Sequence, residues 1–288
     1  MTVGDGRTEK PGAQGGRGDT LRVAAVQLSA QDDVGENLAE CGRLVAAARA
    51  AGATLVVLPE NFAYFGPEAR RRELAEDLSD PSLPIQRALS EMARANGVTV
   101  VAGGMPERSD DAARPYNTCV VLDGEGTLVA RYRKIHLFDV DLPDGTSLRE
   151  SASTASGVEP VLVTVDGFRV GLSICYDLRF PELYRKLAEG GADVIVVPAA
   201  FTLHTGKDHW HVLLRARAIE SQAWVVAAAQ WGKHPRGRAT YGHSMVVDPW
   251  GTIVAEASDR STVVVADVDL RYLEHVRASL PCLTHRKL

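Results

Sequence analysis

Short apolar runs alternate along this sequence with longer segments of helical periodicity. Leu55 to Leu58 is continuously apolar, which is typical of a strand that is covered on both faces. It follows the segment from Asp33 to Ala51, in which apolar residues recur at helical spacing until Gly52 ends the pattern. The alternation returns later, where a helix predicted over Phe180 to Glu189 precedes the apolar strand Val194 to Pro198. This pattern predicts the α/β class.

Further strand-like runs are numerous, and hairpin signals separate several of them. They are Leu21–Gln27, Val98–Met105, Tyr116–Leu122, Thr127–Tyr132, Val161–Val165, Phe168–Ile174, Trp224–Ala229, Gly242–Val247, Thr252–Ala255 and Thr262–Val268. Two more helices are predicted over Leu83–Asn96 and Lys207–Gln222. Because no repeat, linker or domain boundary follows residue 20, we predict one domain, a four-layer α-β-β-α sandwich of two packed mixed sheets with outer helices. It covers residues 21–288, with a C-terminal extension from about residue 270.

Charge and hydropathy exclude two classes of protein. The net charge of −5 and the lack of a long basic block argue against a nucleic-acid surface. No apolar run approaches the roughly 20 residues that a membrane-spanning helix needs. Residues 1–20 are rich in glycine and charge, contain no apolar core, and suit neither a secretory signal nor a transit peptide, so they are predicted to form a flexible tail.

The four cysteines show no paired spacing of the kind that binds metals. Cys41, Cys119, Cys175 and Cys282 are therefore expected to be reduced thiols in a soluble cytoplasmic protein. Cys119 lies in a strand-like run and is expected to be a packing residue.

Cys175 stands in a different local context, because an apolar strand leads into it and a helix follows. Val170, Leu172 and Ile174 alternate with small or polar residues, and Pro181 suits an early helical position. A strand-to-helix turn is where an α/β protein can present a nucleophile. The same segment is equally compatible with a small buried cysteine in the core.

Two other functional groups are predicted at, or just beyond, strand ends. Glu60 follows one strand and Lys134 follows another, and strand ends of this kind can converge on one edge of a sheet. Together with Cys175 they supply a base, a cation and a nucleophile, which are the requirements of acyl transfer to a thiol. Taken singly, Glu60 is equally compatible with a helix cap and Lys134 with a solvated surface charge. Spacing alone does not exclude a papain-like Cys-His pair.

Three segments resemble the catalytic segments of the nitrilase superfamily of carbon-nitrogen hydrolases, in the family's order. They are Leu58–Asn61, Arg133–Phe138 and Ser173–Glu182. The resemblance extends from about residue 21 to 269 and includes Pro198–Thr202, Thr205–Gly206, His209–Trp210, Arg215–Glu220, Gly242–Ser244 and Asp248–Gly251. These later motifs are most similar to the deaminated glutathione amidase branch, and the omega-amidases are its nearest alternative.

The resemblance implies roles for four residues. Cys175 is expected to be the nucleophile, Glu60 the general base and later acid, and Lys134 the cation that stabilises the tetrahedral intermediate. Glu150 matches the second glutamate of the superfamily, which either holds the substrate or supports Lys134; the alternative is a loop carboxylate that balances Lys134. No metal or organic cofactor is implied.

The implied reaction is hydrolysis of the primary amide of a small carboxylate-bearing molecule to an acid and ammonia, through a cysteine thioester. Deaminated glutathione is the expected substrate, with 2-oxoglutaramate or a catalytically silent scaffold as alternatives. The residues expected to bind substrate are Tyr176, Arg179, Phe201, Thr202 and Thr205. The basic loop from Lys233 to Arg238 is expected either to hold a substrate carboxylate or to be a solvated or subunit-contact loop.

Three histidines, His204, His209 and His211, are expected to pack or to form hydrogen bonds. His209 and His211 are two residues apart and face different sides of a helix, which disfavours a metal site formed by these two. In the family, the helix over Lys207–Gln222 helps to form a dimer interface, so at least a homodimer is expected.

Overall fold

The computed structural model describes residues 18–141 and 147–287, and most strands in this part of the chain form two six-stranded sheets. The first sheet has the order β16-β1-β2-β3-β4-β5, and β1, β2 and β3 are parallel. Its strands are β1 (Thr20–Gln27), β2 (Leu55–Leu58), β3 (Thr99–Glu107), β4 (Tyr116–Leu122), β5 (Leu128–Arg133) and β16 (Thr262–Asp269).

The second sheet has the order β15-β14-β11-β10-β9-β8, again with three parallel strands, β9 to β11, in the middle. Its strands are β8 (Leu162–Val165), β9 (Phe168–Leu172), β10 (Val194–Ala199), β11 (Trp224–Ala229), β14 (Met245–Val247) and β15 (Ile253–Glu256). Two short hairpins lie outside the sheets, namely β6 (Asp139–Asp141) with β7 (Ser147–Arg149) and β12 (Trp231–Lys233) with β13 (Ala239–Tyr241).

The helices of the described chain begin and end at recognisable signals. They are α1 (Val34–Ala50), α2 (Glu68–Glu73), α3 (Pro84–Asn96), α4 (Pro181–Glu189), α5 (Leu203–Ser221) and α6 (Leu270–Ser279). The Asp33 side chain caps α1 by accepting from the Glu36 N–H, and α3 ends at Gly97, whose φ of 57° suits glycine. None of these helices has the length and apolar character that crossing a bilayer requires.

The two sheets pack face to face and form one core. β1 and β2 contact β11, and β3 contacts β10. Buried side chains such as Val57 and Val101 from the first sheet and Leu172 and Val196 from the second belong to this core. Helices α1 and α3 cover the outer face of the first sheet, and α4 and α5 pack on the second. The predicted four-layer sandwich is therefore confirmed.

Gly103 in β3 packs closely against Pro198 in β10 of the facing sheet. A Cβ atom added at Gly103 would lie 1.8 Å from the Cβ of Pro198 in β10. Only a residue without a side chain allows this separation. The strand ends that follow Leu58 and Pro198 are therefore held close together.

The structure differs from the predicted elements mainly at their boundaries and in charged segments. Helix α5 begins at Leu203, four residues before the predicted start, because the Thr202 side chain caps it. Helix α2 has a charged sequence without apolar periodicity, which left no helical signal. Of the predicted tail, residues 1–17 lie outside the described residues, and Thr20 already belongs to β1. The segment from residue 270 forms α6, whose Leu273 and Val276 are buried.

Candidate active site

Glu60, Lys134 and Cys175 come together at the strand ends of the two sheets. Glu60 follows β2 by two residues, and Lys134 directly follows β5. Since β3, β4 and β5 are successively antiparallel, β5 runs in the same direction as β2 and ends at the same edge. Cys175 follows β9 in the facing sheet. Glu60, Lys134 and Cys175 line one cavity.

The ammonium group of Lys134 lies between two carboxylates. Its Nζ donates to Glu60 Oε1 at 2.9 Å and to Glu150 Oε2 at 2.9 Å, and the side chain is only 2% exposed. Burial alone lowers the pKa of Lys134, but the charges of Glu150 and Glu60 outweigh this effect and raise the pKa well above its ordinary value. Lys134 therefore carries a positive charge at neutral pH.

Asn117 in β4 joins the same two carboxylates from the first sheet. Its Nδ2 donates to Glu60 Oε1 at 3.0 Å and to Glu150 Oε1 at 3.2 Å. Asn117 is buried, and its Oδ1 has no hydrogen-bond partner among the described residues. Lys134 and Asn117 together thus hold both glutamates in one orientation.

Glu60 is also tied to the second sheet. Its Oε2 accepts from the backbone N–H of Ala200 at 3.1 Å, and its carbonyl oxygen accepts from Gln230 Nε2 at 2.9 Å. Ala200 directly follows β10, and Gln230 directly follows β11. The carboxylate of Glu60 is therefore positioned by both layers of the sandwich.

Glu150 reaches the site from the end of the β6–β7 hairpin. Its Oε2 accepts from the backbone N–H of Phe138 at 2.7 Å in addition to the bond from Lys134. Burial raises the pKa of Glu150, but the charge and hydrogen bond of Lys134 outweigh it, so the pKa is lowered. Glu150 is therefore ionised in contact with Lys134.

Cys175 occupies a strained turn between β9 and α4. Its φ is 48°, a left-handed value that residues other than glycine seldom adopt. The Asp177 carboxylate holds this turn, because it accepts from the Ile174 N–H at 2.9 Å and from the Tyr132 hydroxyl at 2.7 Å. Strain of this kind is common where a turn presents a functional side chain.

The thiol of Cys175 is buried beside Glu60 and Lys134. Burial raises the pKa of Cys175 well above its ordinary value, Glu60 raises it further, and Lys134 opposes both effects. The thiol is therefore protonated at neutral pH. The thiolate is the reactive form of a cysteine, so any reaction of this thiol as a nucleophile would require a base that takes its proton.

The cavity above these residues has a volume of about 790 Å³. Glu150 and Asn117 line its floor together with the three residues named above. Basic side chains outnumber acidic ones in its lining, since Arg71, Arg149, Lys207, Arg236 and Arg238 join Lys134, whereas the carboxylates are those of Glu60, Glu68 and Glu150. A cavity of this size can hold a small molecule, and its cations favour an anionic one.

The residues expected to bind substrate are placed differently from one another. Among the described residues that line the cavity, Thr202 is the single member of that set. Thr205 hydrogen-bonds to Thr202, Phe201 packs on Trp210, Arg179 contacts His209 at 3.2 Å, and Tyr176 packs between Phe138 and Phe180. Within the basic loop, Arg236, Gly237 and Arg238 line the cavity.

Three groups in the site were missed by the sequence reasoning. They are Asn117, Arg71 and the backbone N–H of Ala200. Asn117 carries a usable signal, because it is a polar residue in an otherwise buried strand. Arg71 belongs to a run of three arginines that looks like a solvated helix face.

A second cluster, formed by His211, His243 and Glu256, could hold a metal ion. Ligand atoms of these three side chains lie within 4.8 Å of one another. Glu256 Oε1 lies 2.7 Å from His211 Nε2 and 2.7 Å from His243 Nδ1, so the cluster is also explained by hydrogen bonds among its members. None of the three lines the cavity.

Comparison with known proteins identifies the family of the chain. The carbon-nitrogen hydrolase family matches residues 22–278. The chain is 46% identical to a deaminated glutathione amidase of Synechocystis, covering 92% of this chain and 97% of that protein. A rat deaminated glutathione amidase is 45% identical, with 92% and 82% covered.

The fold is similar to that of the Caenorhabditis elegans NitFhit protein in its crystal structure. The TM-score is 0.87 at 39% identity, and the match covers 93% of this chain and 65% of that chain. This chain therefore spans about two thirds of the length of NitFhit. The resemblance to the nitrilase superfamily is confirmed, and the chain belongs to the carbon-nitrogen hydrolase family as an amidase.

Proposed function

We propose that this amidase cleaves its substrate through a thioester on Cys175, with Glu60 as the base. The observation that carries the proposal is the buried Glu60–Lys134 pair beside a buried, protonated thiol on the cavity floor. Glu60 takes the thiol proton as Sγ attacks the amide carbonyl carbon. Lys134 and the backbone N–H of Tyr176 stabilise the negative charge that develops on the carbonyl oxygen.

The same residues complete the reaction. Glu60 returns the proton to the nitrogen, the carbon–nitrogen bond breaks, and the amine leaves with the acyl group bound to sulfur. Glu60 then takes a proton from a water molecule, whose oxygen attacks the thioester carbonyl. The carbon–sulfur bond breaks, the thiol regains a proton, and a carboxylic acid is released.

Glu150 has a supporting role in this proposal. Its carboxylate holds the Lys134 ammonium through two hydrogen bonds of 2.9 and 3.1 Å. It also accepts from Asn117, which in turn orients Glu60. Glu150 therefore keeps the cation aimed at the reacting carbonyl without itself transferring a proton.

Deaminated glutathione is the substrate that we propose. Curated relatives with 44% to 46% identity carry the name of an amidase for this compound, and basic side chains outnumber acidic ones in the cavity lining. The compound lacks the amino group of glutathione but keeps its two carboxylates. Its amide nitrogens carry carbon substituents, so its hydrolysis releases an amine and not the ammonia expected of a primary amide, whereas 2-oxoglutaramate, which is a primary amide, would release ammonia. The released product therefore separates these two candidate substrates.

The test is turnover of both amides by the purified enzyme, with amine, ammonia and 2-oxo acid measured in parallel. We expect the wild type to prefer deaminated glutathione and Cys175→Ala to lose turnover entirely. Cys282→Ala is the matched control, because Cys282 is exposed and outside the cavity. Retention of wild-type turnover in Cys175→Ala would contradict the thioester mechanism, and inactivity of the wild type on both amides would contradict the substrate proposal.

We also propose that the enzyme is at least a homodimer that uses the outer face of α5. Val212 and Ile219 on this helix are 65% and 46% exposed, and Trp250, in a turn bound to α5 through Arg215, is 57% exposed. Sedimentation should give a dimer for the wild type and a monomer for Val212→Glu with Ile219→Glu. A wild-type monomer at micromolar concentration would contradict this arrangement.

We further propose a cytoplasmic enzyme with reduced thiols, whose hydrolase domain covers residues 21–288. Cys41, Cys119, Cys175 and Cys282 are all unpaired. A thiol titration of the denatured protein, prepared without reductant, should find every cysteine free.

A further inference from the structure

Arg71 is a buried cation whose charge is not neutralised by a direct partner. It is the buried residue of α2 and is 7% exposed. Its Nη1 donates to Thr154 Oγ1 at 3.2 Å, and its Nη2 has no hydrogen-bond partner among the described residues. Within the described chain, no carboxylate forms an ion pair with it.

Burial of an unpaired guanidinium costs free energy, and another buried arginine of the molecule avoids this cost. Arg217 donates to Glu220 Oε1 at 2.7 Å and to the carbonyl oxygen of Leu178. A buried guanidinium without such partners loses its hydration without compensation. Arg71 therefore has the properties of a cation that binds an anionic ligand.

The position of Arg71 indicates where such an anion would bind. Arg71 lines the same cavity as Cys175 and Lys134. Its charge acts on Glu150, whose pKa it helps to lower, although burial, Lys134 and the Phe138 N–H have larger effects. The acidic residue one turn before it, Glu68, lies instead 3.7 Å from Arg238. The guanidinium of Arg71 thus lies at the cavity wall, near enough to Glu150 for its charge to act there.

We propose that Arg71 binds the carboxylate on the acyl half of the substrate, the half that becomes the thioester. The inference rests on the proposed function and specifies its substrate class, namely amides whose acyl chain ends in its own carboxylate. Deaminated glutathione and 2-oxoglutaramate share such an acyl group, in which a short carbon chain separates the carboxylate from the scissile carbonyl. A guanidinium can hold a carboxylate through two parallel hydrogen bonds.

The same geometry separates the two ends of a dicarboxylate. Arg71 is buried at the cavity wall, whereas Arg236 is exposed in the loop from Lys233 to Arg238. The acyl carboxylate therefore stays on Arg71 through both halves of the reaction, and a carboxylate on the leaving amine points towards the loop. An amide without an acyl carboxylate leaves the buried guanidinium unpaired, which disfavours its binding.

A direct binding experiment tests the subsite without turnover. The probe is 2-oxoglutarate, the acid that both candidate amides would release, titrated calorimetrically into the enzyme. We expect Arg71→Met to weaken binding about 10- to 100-fold, the size of one charged hydrogen-bonded contact. Arg71→Lys should weaken it less, because the charge remains but the paired donors are lost. Arg72→Met is the control, since Arg72 lies exposed on the same helix outside the cavity.

A kinetic experiment separates failure of this inference from failure of the proposed function. We expect Arg71→Met to lower the ratio of kcat/KM for deaminated glutathione to kcat/KM for a neutral aliphatic amide by a similar factor. An unchanged ratio and unchanged 2-oxoglutarate binding, with an active wild type, would overturn the role of Arg71 and leave the proposed function intact. Inactivity of the wild type on both carboxylated amides would overturn the proposed function, and loss of 2-oxoglutarate binding in Arg71→Met would still support the subsite. Thermal unfolding of each variant checks that it is folded.

Discussion

At the residue scale, the site depends on one cation shared by two carboxylates. Lys134 is buried between Glu60 and Glu150, and its charge is maintained by them. Removal of one partner from such a buried group leaves the others uncompensated and costs more than the contact itself contributes. Conservative changes within this cluster are therefore expected to lower activity strongly.

Asn117 gives the sharpest test of this cluster, because it carries no charge of its own. We expect Asn117→Ala to lower kcat by one to two orders of magnitude. The carboxylates of Glu60 and Glu150 would each lose the hydrogen bond that the Asn117 amide donates to them. The measurement is kcat across pH, because a purely structural role of Asn117 would leave the pH profile of turnover unchanged. Thr164→Ala, in the exposed part of β8, is the control.

An unchanged pH profile in Asn117→Ala, combined with a loss of stability alone, would show that Asn117 is structural. Rescue of kcat by Asn117→Gln is not expected, because the additional methylene displaces, within a buried position, the amide nitrogen that lies 3.0 Å from Glu60 Oε1.

Some residues of the site were predictable from the sequence because they lie just after predicted strands. Glu60, Lys134 and Cys175 follow strands, and strand ends converge. Arg71 becomes recognisable only in three dimensions, because its significance comes from the lack of a carboxylate partner among the described residues. Asn117 is marked in the sequence as a polar residue in a buried strand, but its bonds to Glu60 and Glu150 join distant segments and are visible only in the fold.

At the element scale, the loop between β12 and β13 depends on a neutral histidine. His234 is buried, its Nδ1 lies 2.8 Å from the carbonyl oxygen of Ala30, and its Nε2 lies 2.6 Å from Thr240 Oγ1. The carbonyl can only accept, so Nδ1 carries the proton and Nε2 accepts from Thr240. Burial lowers the pKa of His234 below its ordinary value of 6.5.

This lowered pKa predicts that mild acid destabilises the fold. Above pH 6.5, His234 is neutral in both states and has no effect on the pH dependence. As the pH falls below 6.5, the unfolded chain takes up the proton first, so the free energy of unfolding decreases until the folded pKa is reached. Each unit by which the folded pKa is lowered contributes about 1.4 kcal/mol to this loss.

The measurement is denaturant unfolding of wild type and His234→Gln between pH 8 and pH 5. We expect the stability of the wild type relative to the variant to decline below pH 6.5. A constant difference across this range would contradict the assignment of His234 as a neutral structural residue.

The other irregular elements were difficult to predict for a related reason. Helix α2 and the hairpins are short, so their stability comes from contacts with the rest of the molecule and not from their own sequence. The early start of α5 at Leu203 depends on the Thr202 cap. Long, periodic elements such as α1 were predicted closely because their apolar spacing is itself the signal.

At the scale of the whole molecule, the close packing of β3 against β10 of the facing sheet requires a glycine at position 103. We expect Gly103→Ala to destabilise the protein by about 1–3 kcal/mol or more, because the new Cβ would lie 1.8 Å from Pro198 Cβ. Gly42→Ala is the matched control, since this glycine lies within α1 and its added Cβ meets its nearest neighbour at 3.9 Å. The control should gain about 0.5–1 kcal/mol.

Denaturant unfolding followed by circular dichroism measures both changes. Equal stability of Gly103→Ala and the wild type would show that the sheets can separate without cost. Activity should fall in Gly103→Ala as well, because Pro198 is two residues from the Ala200 N–H that holds Glu60.

The layered architecture was predictable as a whole, because the number of strands fits one domain with two packed sheets better than two separate cores. The strand order was not predictable, since it depends on pairings between distant segments, such as β1 with β16.

The carboxylate of Glu60 accepts hydrogen bonds from Lys134 and Asn117, which belong to the side of the first sheet, and from the backbone N–H of Ala200, which directly follows β10 of the second sheet. A chain in which each sheet has formed but the two have not yet docked therefore has its secondary structure without a fixed orientation of the Glu60 carboxylate. During refolding, catalytic activity should return with the last step of sheet association and not with the recovery of the circular dichroism signal. The recovery of enzymatic activity therefore reports when the two sheets associate during folding.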